Sequence, residues 1–439
     1  MLHASRAFLF AAALSCPLAA ATSVRGYPID GGATTGIGRL EFQRRVEAGE
    51  IPGRRRPPGE QLASAEVDLR LRERRGLELP APDPELTRAL VRLLGKDADR
   101  YGLALLDLSD PERVRYAEWN GTQPQNPGSV GKLVVALAIF QALADAHPED
   151  VAARERILRE RVVTADAFSV SDHHTVPFWD PLAGTLERRP IREGDRATLW
   201  TWLDWMLSPS SNSAAGMLQR ELLLLRRFGA AYPPDADAER HFLAETPKSE
   251  LAGLFAAAIQ EPVARNGLDP ASLRQGSFFT REGKRLVPGT SSHATSRELV
   301  RFLLRMEQGR LVDDWSSREI KRLLYQTERR IRYAAAPALA DAAVYFKSGS
   351  LYSCEPEPDF VCRKYHGNLR NFMNSVAVVE APARERRLFY LVALLSNVLR
   401  KNSAADHAEL ARAIHAKLRA DHPERPRAAD QPASPMPEQ

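Results

Sequence analysis

The sequence has little cysteine, little net charge and few long apolar runs, and each shortage excludes a class of protein. Its 439 residues include 3 cysteines, too few for a disulfide-dense scaffold or a cysteine-rich zinc module. Lys and Arg total 61 against 56 Asp and Glu, and this scattered excess of +5 does not indicate a nucleic-acid binder. The 44% hydrophobic and 27% charged residues are typical of globular proteins and exclude collagen-like, coiled-coil and wholly disordered chains.

The N-terminus carries the pattern of a secretory signal peptide, which we assign to residues 1–21. An apolar run at 8–21 follows Arg6, ends in small residues, and is shorter than the roughly 20 residues that span a bilayer. The alternative is an uncleaved N-terminal helix. A lipoprotein anchor at Cys16 is disfavoured, because Ala13 stands where such sites prefer Leu. We therefore expect a periplasmic or secreted protein with no transmembrane segment in its mature chain.

The remaining chain divides into three parts. Residues 22–83 combine Gly-rich, basic and Pro-rich stretches, and we interpret them as an N-terminal extension, an arm rather than part of the core. Residues 84–420 have the pattern of a globular domain, with a Pro-, His- and Trp-rich stretch at 165–195 that we interpret as a loop. Residues 421–439 are Pro-rich and polar, and we expect them to be disordered.

Strand-like and helical patterns alternate in blocks along the globular part. Strands are predicted near 101–108 and 114–119, helices through the middle, and strands again at 342–348, 373–379 and 388–395 before a last helix at 404–418. This order lets the first and last segments share one antiparallel sheet, with a helical lobe inserted between them. An active site between the sheet and the lobe would follow naturally.

Ser129 and Lys132 stand at the predicted start of an apolar helix that continues to about Ala146. Residues three apart share a helix face, so the serine hydroxyl and the lysine amine would point into the same space. A serine becomes a good nucleophile when a base takes its proton, and a desolvated lysine can be that base. Alone the S-x-x-K pattern is weak, because it occurs by chance in many chains and a solvated first helical turn is its ordinary explanation.

Two further motifs follow along the chain. Ser210-Ser211-Asn212 lies before a helical stretch, where an N-cap serine cluster is the ordinary explanation. Lys347-Ser348-Gly349-Ser350 ends a strand-like run, where a strand-to-turn exit is the ordinary explanation. Their information lies in their order and setting, which are a helix start, an inter-helix turn and a late strand.

In that order the three motifs resemble the signature of the penicillin-recognising serine enzymes, the class A β-lactamases and penicillin-binding DD-peptidases. The stretches SPSSNSAAGML, GTSSHATSRELVRFLLRMEQGRLVD and RLFYLVALLS are also similar to that family, so the resemblance covers about residues 84–420. It implies an α+β fold of the β-lactamase/transpeptidase-like type. Such a fold has a five-stranded antiparallel sheet flanked by helices, an all-helical lobe, and the active site between them.

The resemblance also implies catalytic roles. Ser129 would be the acylated nucleophile, and Lys132 its activating base or proton shuttle. Ser210 would relay a proton towards the leaving nitrogen. The backbone N–H groups of Ser129 and Ser350 would form the oxyanion hole, and Lys347 would lower the pKa of Lys132 by like-charge repulsion.

Substrate-binding roles follow from the same resemblance. Asn212 would hydrogen-bond the acylamido side chain of the substrate. Lys347 and Ser348 would bind its carboxylate, with Gly349 and Ser350 completing that strand of the site. We expect a small-molecule β-lactam or a peptidoglycan peptide as the substrate, no cofactor, no metal and no nucleic acid, and a monomeric protein.

The chain departs from the class A pattern at the Ω-loop, where that family carries the glutamate that positions the deacylating water. The matching position falls near Thr280, and Glu282 is the acidic residue of this stretch. Lys284 and Arg285 follow it in place of the usual E-x-x-x-N partner, so a surface charge is the stronger interpretation. Ser211 likewise replaces the Asp of the class A S-D-N motif.

Two other features of the sequence indicate possible covalent or metal chemistry. Cys354 and Cys362 flank a Pro-bearing turn, and export makes a disulfide between them the leading interpretation, with two free thiols as the alternative. His173 and His174 suggest a metal, but adjacent histidines point apart on regular structure and no spaced third ligand is evident.

Three functions remain open from the sequence. The first is an exported serine acyl-hydrolase of the class A type that opens β-lactam rings. The second is a DD-carboxypeptidase or endopeptidase acting on peptidoglycan stem peptides. The third is a non-catalytic binding protein on the same scaffold. They differ in the Ω-loop glutamate and in the lifetime of the acyl-enzyme.

Overall fold

A computed structural model describes residues 30–423. The predicted signal peptide at 1–21 lies outside this range, as do residues 424–439 of the predicted tail. The strands are β1 Tyr101–Asp107, β2 Arg115–Trp119, β3 Val162–Thr164, β4 Thr175–Asp180, β5 Thr185–Pro190, β6 Arg196–Thr198, β7 Leu273–Arg274, β8 His293–Ala294, β9 Ala343–Ser353, β10 Arg370–Ala381 and β11 Leu388–Asn397.

Helices make up the lobe and cover the sheet. They are α1 Gly31–Thr35, α2 Arg39–Glu47, α3 Pro84–Leu94, α4 Lys132–Ala146, α5 Val151–Glu160, α6 Leu199–Leu207, α7 Asn212–Phe228, α8 Ala236–Glu245, α9 Lys248–Arg265, α10 Arg281–Leu286, α11 Ser296–Glu307, α12 Asp314–Tyr325 and α13 Ser403–Asp421.

The main sheet has five antiparallel strands in the order β2-β1-β11-β10-β9, so the first and last strands of the domain share one sheet, as predicted. Side chains alternate between its faces because successive strand residues point to opposite sides. Leu103 and Leu105 of β1 pack with α3 and α13, while Ala104 and Leu106 pack with the helical lobe. The strand β9 lies at the edge of the sheet, beside the lobe.

The helix α4 forms the centre of the lobe. Its sequence is apolar on every side, and nearly all of its residues are buried. With the 3-10 turn Gly128–Gly131 before it, this helix is long and apolar enough to cross a membrane, although the sequence suggested no such stretch after the N-terminus. Most of it is packed inside the protein, which is the arrangement of a core helix.

The segment predicted to be an arm is instead packed against the domain. Apolar side chains of residues 30–83 enter the main core because their burial removes them from water. These buried residues are Ile37, Leu40, Leu62, Val67 and Leu71. The charge pattern of the segment concealed them, since the apolar residues are spaced singly among arginines and glutamates.

A buried ion cluster ties this extension to the sheet. The ammonium of Lys321 lies 2.7 Å from a carboxylate oxygen of Glu307 and 2.7 Å from one of Glu380. It also donates to the backbone oxygen of Asp68, at 2.8 Å. Arg70 pairs with Glu380 at 3.0 Å, so two cations balance two carboxylates that are shielded from water.

The stretch at 165–195, predicted to be a loop, contains an antiparallel hairpin of β4 and β5. Its strands are short and mostly exposed, which is why their alternation was hidden. The hairpin packs on the N-terminal extension, where the rings of Phe42 and Trp179 lie 6.4 Å apart. Trp205 of α6 donates to the backbone oxygen of Pro177 at 3.0 Å, so the hairpin is also fixed to the lobe.

Candidate active site

The three motifs converge at the junction of the lobe and the sheet. Ser129 lies in the 3-10 turn that starts α4, and Lys132 is the first residue of that helix. Ser210 and Asn212 lie between α6 and α7, and Lys347 lies on β9. Hydrogen bonds connect these side chains to one another, which is the convergence that the family resemblance implied.

Lys132 is fully buried and has three close oxygen partners. Its Nζ lies 2.7 Å from the backbone oxygen of Ser210, 2.8 Å from Oδ1 of Asn212 and 3.0 Å from Oγ of Ser129. The first two can only accept hydrogen bonds. A neutral amine would donate its two protons to them and turn its lone pair towards the hydroxyl of Ser129. The site therefore orients Lys132 as a base towards that serine.

The electrostatics favour the neutral amine. Burial lowers the pKa of Lys132 to about 7, the charge of Asp172 opposes this lowering, and the charge of Arg332 adds to it. Arg332 is thus a like charge that the motifs did not reveal, in addition to the expected repulsion between Lys132 and Lys347. Burial also lowers the pKa of Lys347 well below its usual range, and Lys132 and Arg332 contribute to that shift.

Ser210 lies between the two lysines. Its Oγ accepts a hydrogen bond from Lys347 at 2.8 Å and lies 3.4 Å from Nζ of Lys132. Its backbone has a φ of 65°, a left-handed conformation that costs about 1–3 kcal/mol in residues other than glycine. With its acceptor site used by Lys347, the hydroxyl is free to donate a proton, as a relay requires.

The motif glycine on β9 allows the strand to approach the nucleophile. A Cβ at Gly349 would lie 2.3 Å from the backbone oxygen of Pro127 and 2.6 Å from the backbone nitrogen of Ser129. A Cβ at Gly128, where φ is +52°, would lie 3.1 Å from the nitrogen of Ser350. The two backbone N–H groups expected to form the oxyanion hole are therefore brought together by a contact that any side chain at Gly349 would block.

We expect Gly349→Ala to slow acylation of Ser129 by about 10²–10³-fold, the cost of losing one oxyanion donor. The added methyl group would force β9 and the turn at Gly128 apart. Stopped-flow acylation by a fluorescent penicillin would measure the effect. Gly253→Ala is the matched control, because a Cβ there meets nothing within 4 Å. An unchanged rate in Gly349→Ala would mean that the close approach is not required.

Arg332 completes the cationic side of the site and was missed in the sequence. It donates to Oγ of Ser348 at 2.9 Å and to Oγ of Ser350 at 3.0 Å. Both hydroxyls thus have their acceptor sides occupied and can donate to an anion. Burial lowers the pKa of Arg332, yet an arginine keeps its charge at neutral pH. Together with Lys347, it makes this end of the site suitable for a carboxylate.

The Ω-loop, between β7 and β8, places an aromatic ring beside the base. The ring of Phe279 has its centroid 4.7 Å from Nζ of Lys132, and it also approaches Gly131. The neighbouring Thr280, where the family glutamate was expected, is buried and donates to the backbone oxygen of Phe168 at 2.8 Å. From this loop, Phe279 therefore presents a hydrocarbon ring to Lys132, while the side-chain oxygen of Gln275 lies against the neighbouring Gly131.

Glu282, the candidate for deacylation, is not brought to the site. It lies on the short helix α10, where Arg285 donates to its carboxylate at 2.6 Å. Arg285 lowers the pKa of Glu282 by this hydrogen bond, and the other cations that act on it are Arg281 and Lys248. These neighbours belong to the outer surface, so Glu282 has the environment of a surface charge.

The pair His173-His174 also differs from the expectation for adjacent residues on regular structure. Their rings stack with centroids 4.8 Å apart, and with Asp172 they bring three potential ligand atoms within 4.8 Å of one another. Asp172, however, uses one oxygen for His174, at 2.6 Å, and the other for the start of α7. We therefore interpret this group as a helix cap.

Cys354 and Cys362 form the predicted disulfide, in the loop that joins β9 and β10. The same loop carries Tyr365, whose ring centroid lies 4.7 Å from the guanidinium of Arg332. The disulfide thus reduces the number of unconstrained residues in the loop whose Tyr365 contacts Arg332.

Because the two sulfurs are bonded, we expect Cys354 and Cys362 to resist alkylation in the native protein and to react only after reduction. Peptide mapping of iodoacetamide-treated protein, with and without prior reduction, would measure this. Alkylation of either cysteine in the unreduced protein would contradict the disulfide.

Comparison with protein-family models and with curated proteins gives no match to the chain. Solved structures do match. A β-lactamase from Chitinophaga pinensis aligns with a TM-score of 0.50 and 15% identity, over 77% of this chain and 99% of that chain. PBP-A aligns with a TM-score of 0.49 and 14% identity, over 78% of this chain and 99% of that chain. The fold is β-lactamase/transpeptidase-like, as the motifs predicted, and at this identity the activity must be argued from the site.

Proposed function

We propose that this protein is an exported, penicillin-binding serine peptidase that cleaves peptides with a free terminal carboxylate, such as peptidoglycan stem peptides. The observation that carries the proposal is the contrast between the two halves of the reaction. Groups suited to acylation surround Ser129, whereas the Ω-loop presents Phe279, and not a carboxylate, to Lys132. The predicted signal peptide and the disulfide support export.

Acylation follows from the positions of the side chains. Neutral Lys132 takes the proton of Ser129 as the serine Oγ bonds to the substrate carbonyl carbon. The carbonyl oxygen becomes negative next to the backbone N–H groups of Ser129 and Ser350. The C–N bond then breaks, and the proton passes through Ser210 to the leaving nitrogen. The carboxylate of the leaving group is held near Lys347.

Deacylation separates a peptidase from a β-lactamase. A cleaved peptide releases its amine, so water or another amine can reach the ester. The leaving nitrogen of an opened β-lactam remains attached through the ring and obstructs that approach. A carboxylate that activates water would overcome this, and the hydrocarbon ring of Phe279 cannot accept a proton. We therefore expect a long-lived penicilloyl-enzyme.

A single experiment separates the three candidate functions. The protein is incubated with a fluorescent penicillin, the adduct is followed by intact-protein mass spectrometry, and nitrocefin hydrolysis is measured in parallel. A durable adduct at Ser129 with slow nitrocefin turnover supports the peptidase. Rapid turnover would instead support a β-lactamase, and no adduct would support a non-catalytic binding protein.

We expect Phe279→Glu to shorten the lifetime of the penicilloyl-enzyme by up to about 10²-fold, since it places a general base beside Lys132. Phe279→Gln is the matched control, because it is polar and similar in size but cannot take a proton. Release of the adduct would be timed by mass spectrometry after removal of free drug. Equal lifetimes for the two variants would show that the missing carboxylate does not limit deacylation.

A further inference from the structure

Asp172 has contacts that the catalytic proposal does not use. Its carboxylate is almost completely buried, with 2% of the side chain exposed. One oxygen, Oδ2, accepts hydrogen bonds from Oγ of Ser211 at 2.8 Å and from the backbone nitrogens of Asn212 at 2.7 Å and Ser213 at 3.0 Å. Three donors from one short segment thus converge on a single atom of a residue about forty positions earlier in the chain.

These donors belong to the first turn of α7, whose N–H groups have no partner within the helix. Ser211 caps the N–H of Ala214 with its own oxygen, at 3.1 Å, which leaves the groups at Asn212 and Ser213 to be satisfied from outside. A carboxylate at a helix N-terminus is also favoured by the helix dipole. Asp172 supplies both the acceptor and the charge. Asp172 belongs to a separate loop, and the Ser210-Ser211-Asn212 motif itself contains no acidic residue.

The same turn carries the groups that orient the base. Asn212 accepts from Lys132 through its side chain while its backbone donates to Asp172. Ser210, two residues earlier, accepts from Lys132 through its backbone oxygen. The position of Asp172 is in turn fixed by His174, whose Nδ1 lies 2.6 Å from Oδ1. A continuous chain of contacts therefore joins Asp172 to the base.

We propose that Asp172 is a positioning residue for acylation, which fixes the start of α7 and thereby holds Asn212 and Ser210 against Lys132. This inference rests on the proposed function, because acylation of Ser129 is the step it serves. The charged and titratable groups around this chain are His173 and His174 in the loop, Lys132 on α4, and, beyond them, Arg332 and Lys347. Asp172 acts on Lys132 through its charge as well as through these contacts. Its negative charge raises the pKa of Lys132, against the effect of burial.

The test compares Asp172→Asn with wild type in acylation by a fluorescent penicillin between pH 5 and pH 9. Asparagine keeps one acceptor oxygen and places an amide nitrogen, itself a donor, against the backbone donors either of α7 or of His174. One of the two sets of bonds is therefore lost, which should slow acylation by about 10–100-fold, as expected for a displacement of about 1 Å in the catalytic groups. Loss of the charge should move the midpoint of the pH profile to lower pH, because protonated Lys132 loses a stabilising neighbour. A purely structural role would not shift that midpoint.

Asp195→Asn is the matched control. Asp195 belongs to the same insertion and is also paired, with Arg189 at 2.7 Å, but this pair lies outside the chain of contacts that leads to Lys132. We expect its acylation rate and midpoint to equal those of wild type. If Asp172→Asn does not fold, Asp172→Glu replaces it. The longer side chain keeps the charge but displaces the carboxylate from its three donors, so acylation should slow several-fold while the midpoint stays at the wild-type value, and a wild-type rate would overturn the role of Asp172.

A second measurement separates this inference from the proposed function. The pKa of Lys132 can be followed by NMR in protein labelled with ¹³C at lysine Cε, with the signal assigned from its absence in Lys132→Met. Asp172→Asn should lower that pKa whether or not penicillin reacts. Failure of wild type to form an adduct would defeat the proposed function alone. An unchanged acylation rate, midpoint and Lys132 pKa in folded Asp172→Asn would overturn the role of Asp172.

Discussion

Ser129→Ala is expected to abolish covalent capture of penicillin while leaving the fold intact. The substitution removes the oxygen that forms the ester bond. The other hydroxyl near Lys132, that of Ser210, is farther from its Nζ, at 3.4 Å against 3.0 Å for Ser129, and accepts a hydrogen bond from Lys347. Lys132 keeps its bonds to the backbone oxygen of Ser210 and to Asn212, so its burial remains compensated. Intact-protein mass spectrometry after incubation with penicillin should show no mass increase.

Ser350→Ala provides the comparison for this result. Its hydroxyl accepts from Arg332 in the proposed carboxylate subsite, but its backbone N–H is unaffected by the substitution. We expect this variant still to form the adduct, at a reduced rate. An adduct of full stoichiometry in Ser129→Ala, with the modified peptide mapped elsewhere, would remove Ser129 from the mechanism.

Lys132→Met is expected to slow acylation of Ser129 by about 10²–10⁴-fold, the usual contribution of a general base. Methionine keeps most of the buried volume, so the loss should reflect the missing amine and not a cavity. In wild type, the acylation rate should rise tenfold per pH unit below about pH 7 and level off above it. The neutral amine is the reactive form, and burial lowers its pKa to about 7.

The pH profile of the variants provides the decisive comparison. In Lys132→Met the residual acylation should show no rise through this pH range, because the titrating group is gone. Lys132→Arg restores a positive charge without a usable lone pair and should be similarly slow. Wild-type rates in either variant, or a midpoint that stays near pH 7 in Lys132→Met, would assign the proton transfer to another group.

Much of the fold could be predicted because its signals are local. The apolar run after Ser129 predicted α4, and the alternating patterns near the C-terminus predicted β9, β10 and β11, which prove a few residues longer at their ends. The ends of a strand are harder to predict because they depend on pairing with a neighbouring strand. Asn397, for example, pairs with Phe372 across the sheet, a contact that no local pattern shows.

The central residues of the site were predictable for the same reason. Ser129 and Lys132 are brought together by helical spacing, and Gly349 marks a close approach within a short motif. Arg332 and Phe279 were missed because tertiary structure alone selects them. Arg332 is one arginine among many, and its backbone φ of 55° turns it towards β9. Of the adjacent Phe278 and Phe279, the first is buried in the core and the second lies beside Lys132.

Packing of the N-terminal extension was also hidden from sequence reasoning. Its apolar residues have no sustained helical or strand period, because apart from Leu40 in α2 the buried residues named above are contributed by short turns and irregular segments. Their partners lie hundreds of residues away: the hydroxyl of Tyr325 accepts from the backbone nitrogen of Leu62 at 2.9 Å, for example. Such contacts follow from the final arrangement of the chain and leave no local pattern.

The buried cluster around Lys321 bears on where the protein can be trimmed for expression. A polypeptide that begins at residue 84 would lack Arg70 and the backbone oxygen of Asp68, and it would open to water the carboxylates of Glu307 and Glu380 that this segment covers. It would also lose the buried apolar side chains of the extension, each of which contributes about 1.5–3 kcal/mol, against the roughly 5–15 kcal/mol that stabilises a typical domain. The smallest autonomous folding unit therefore starts well upstream of the first motif-bearing element.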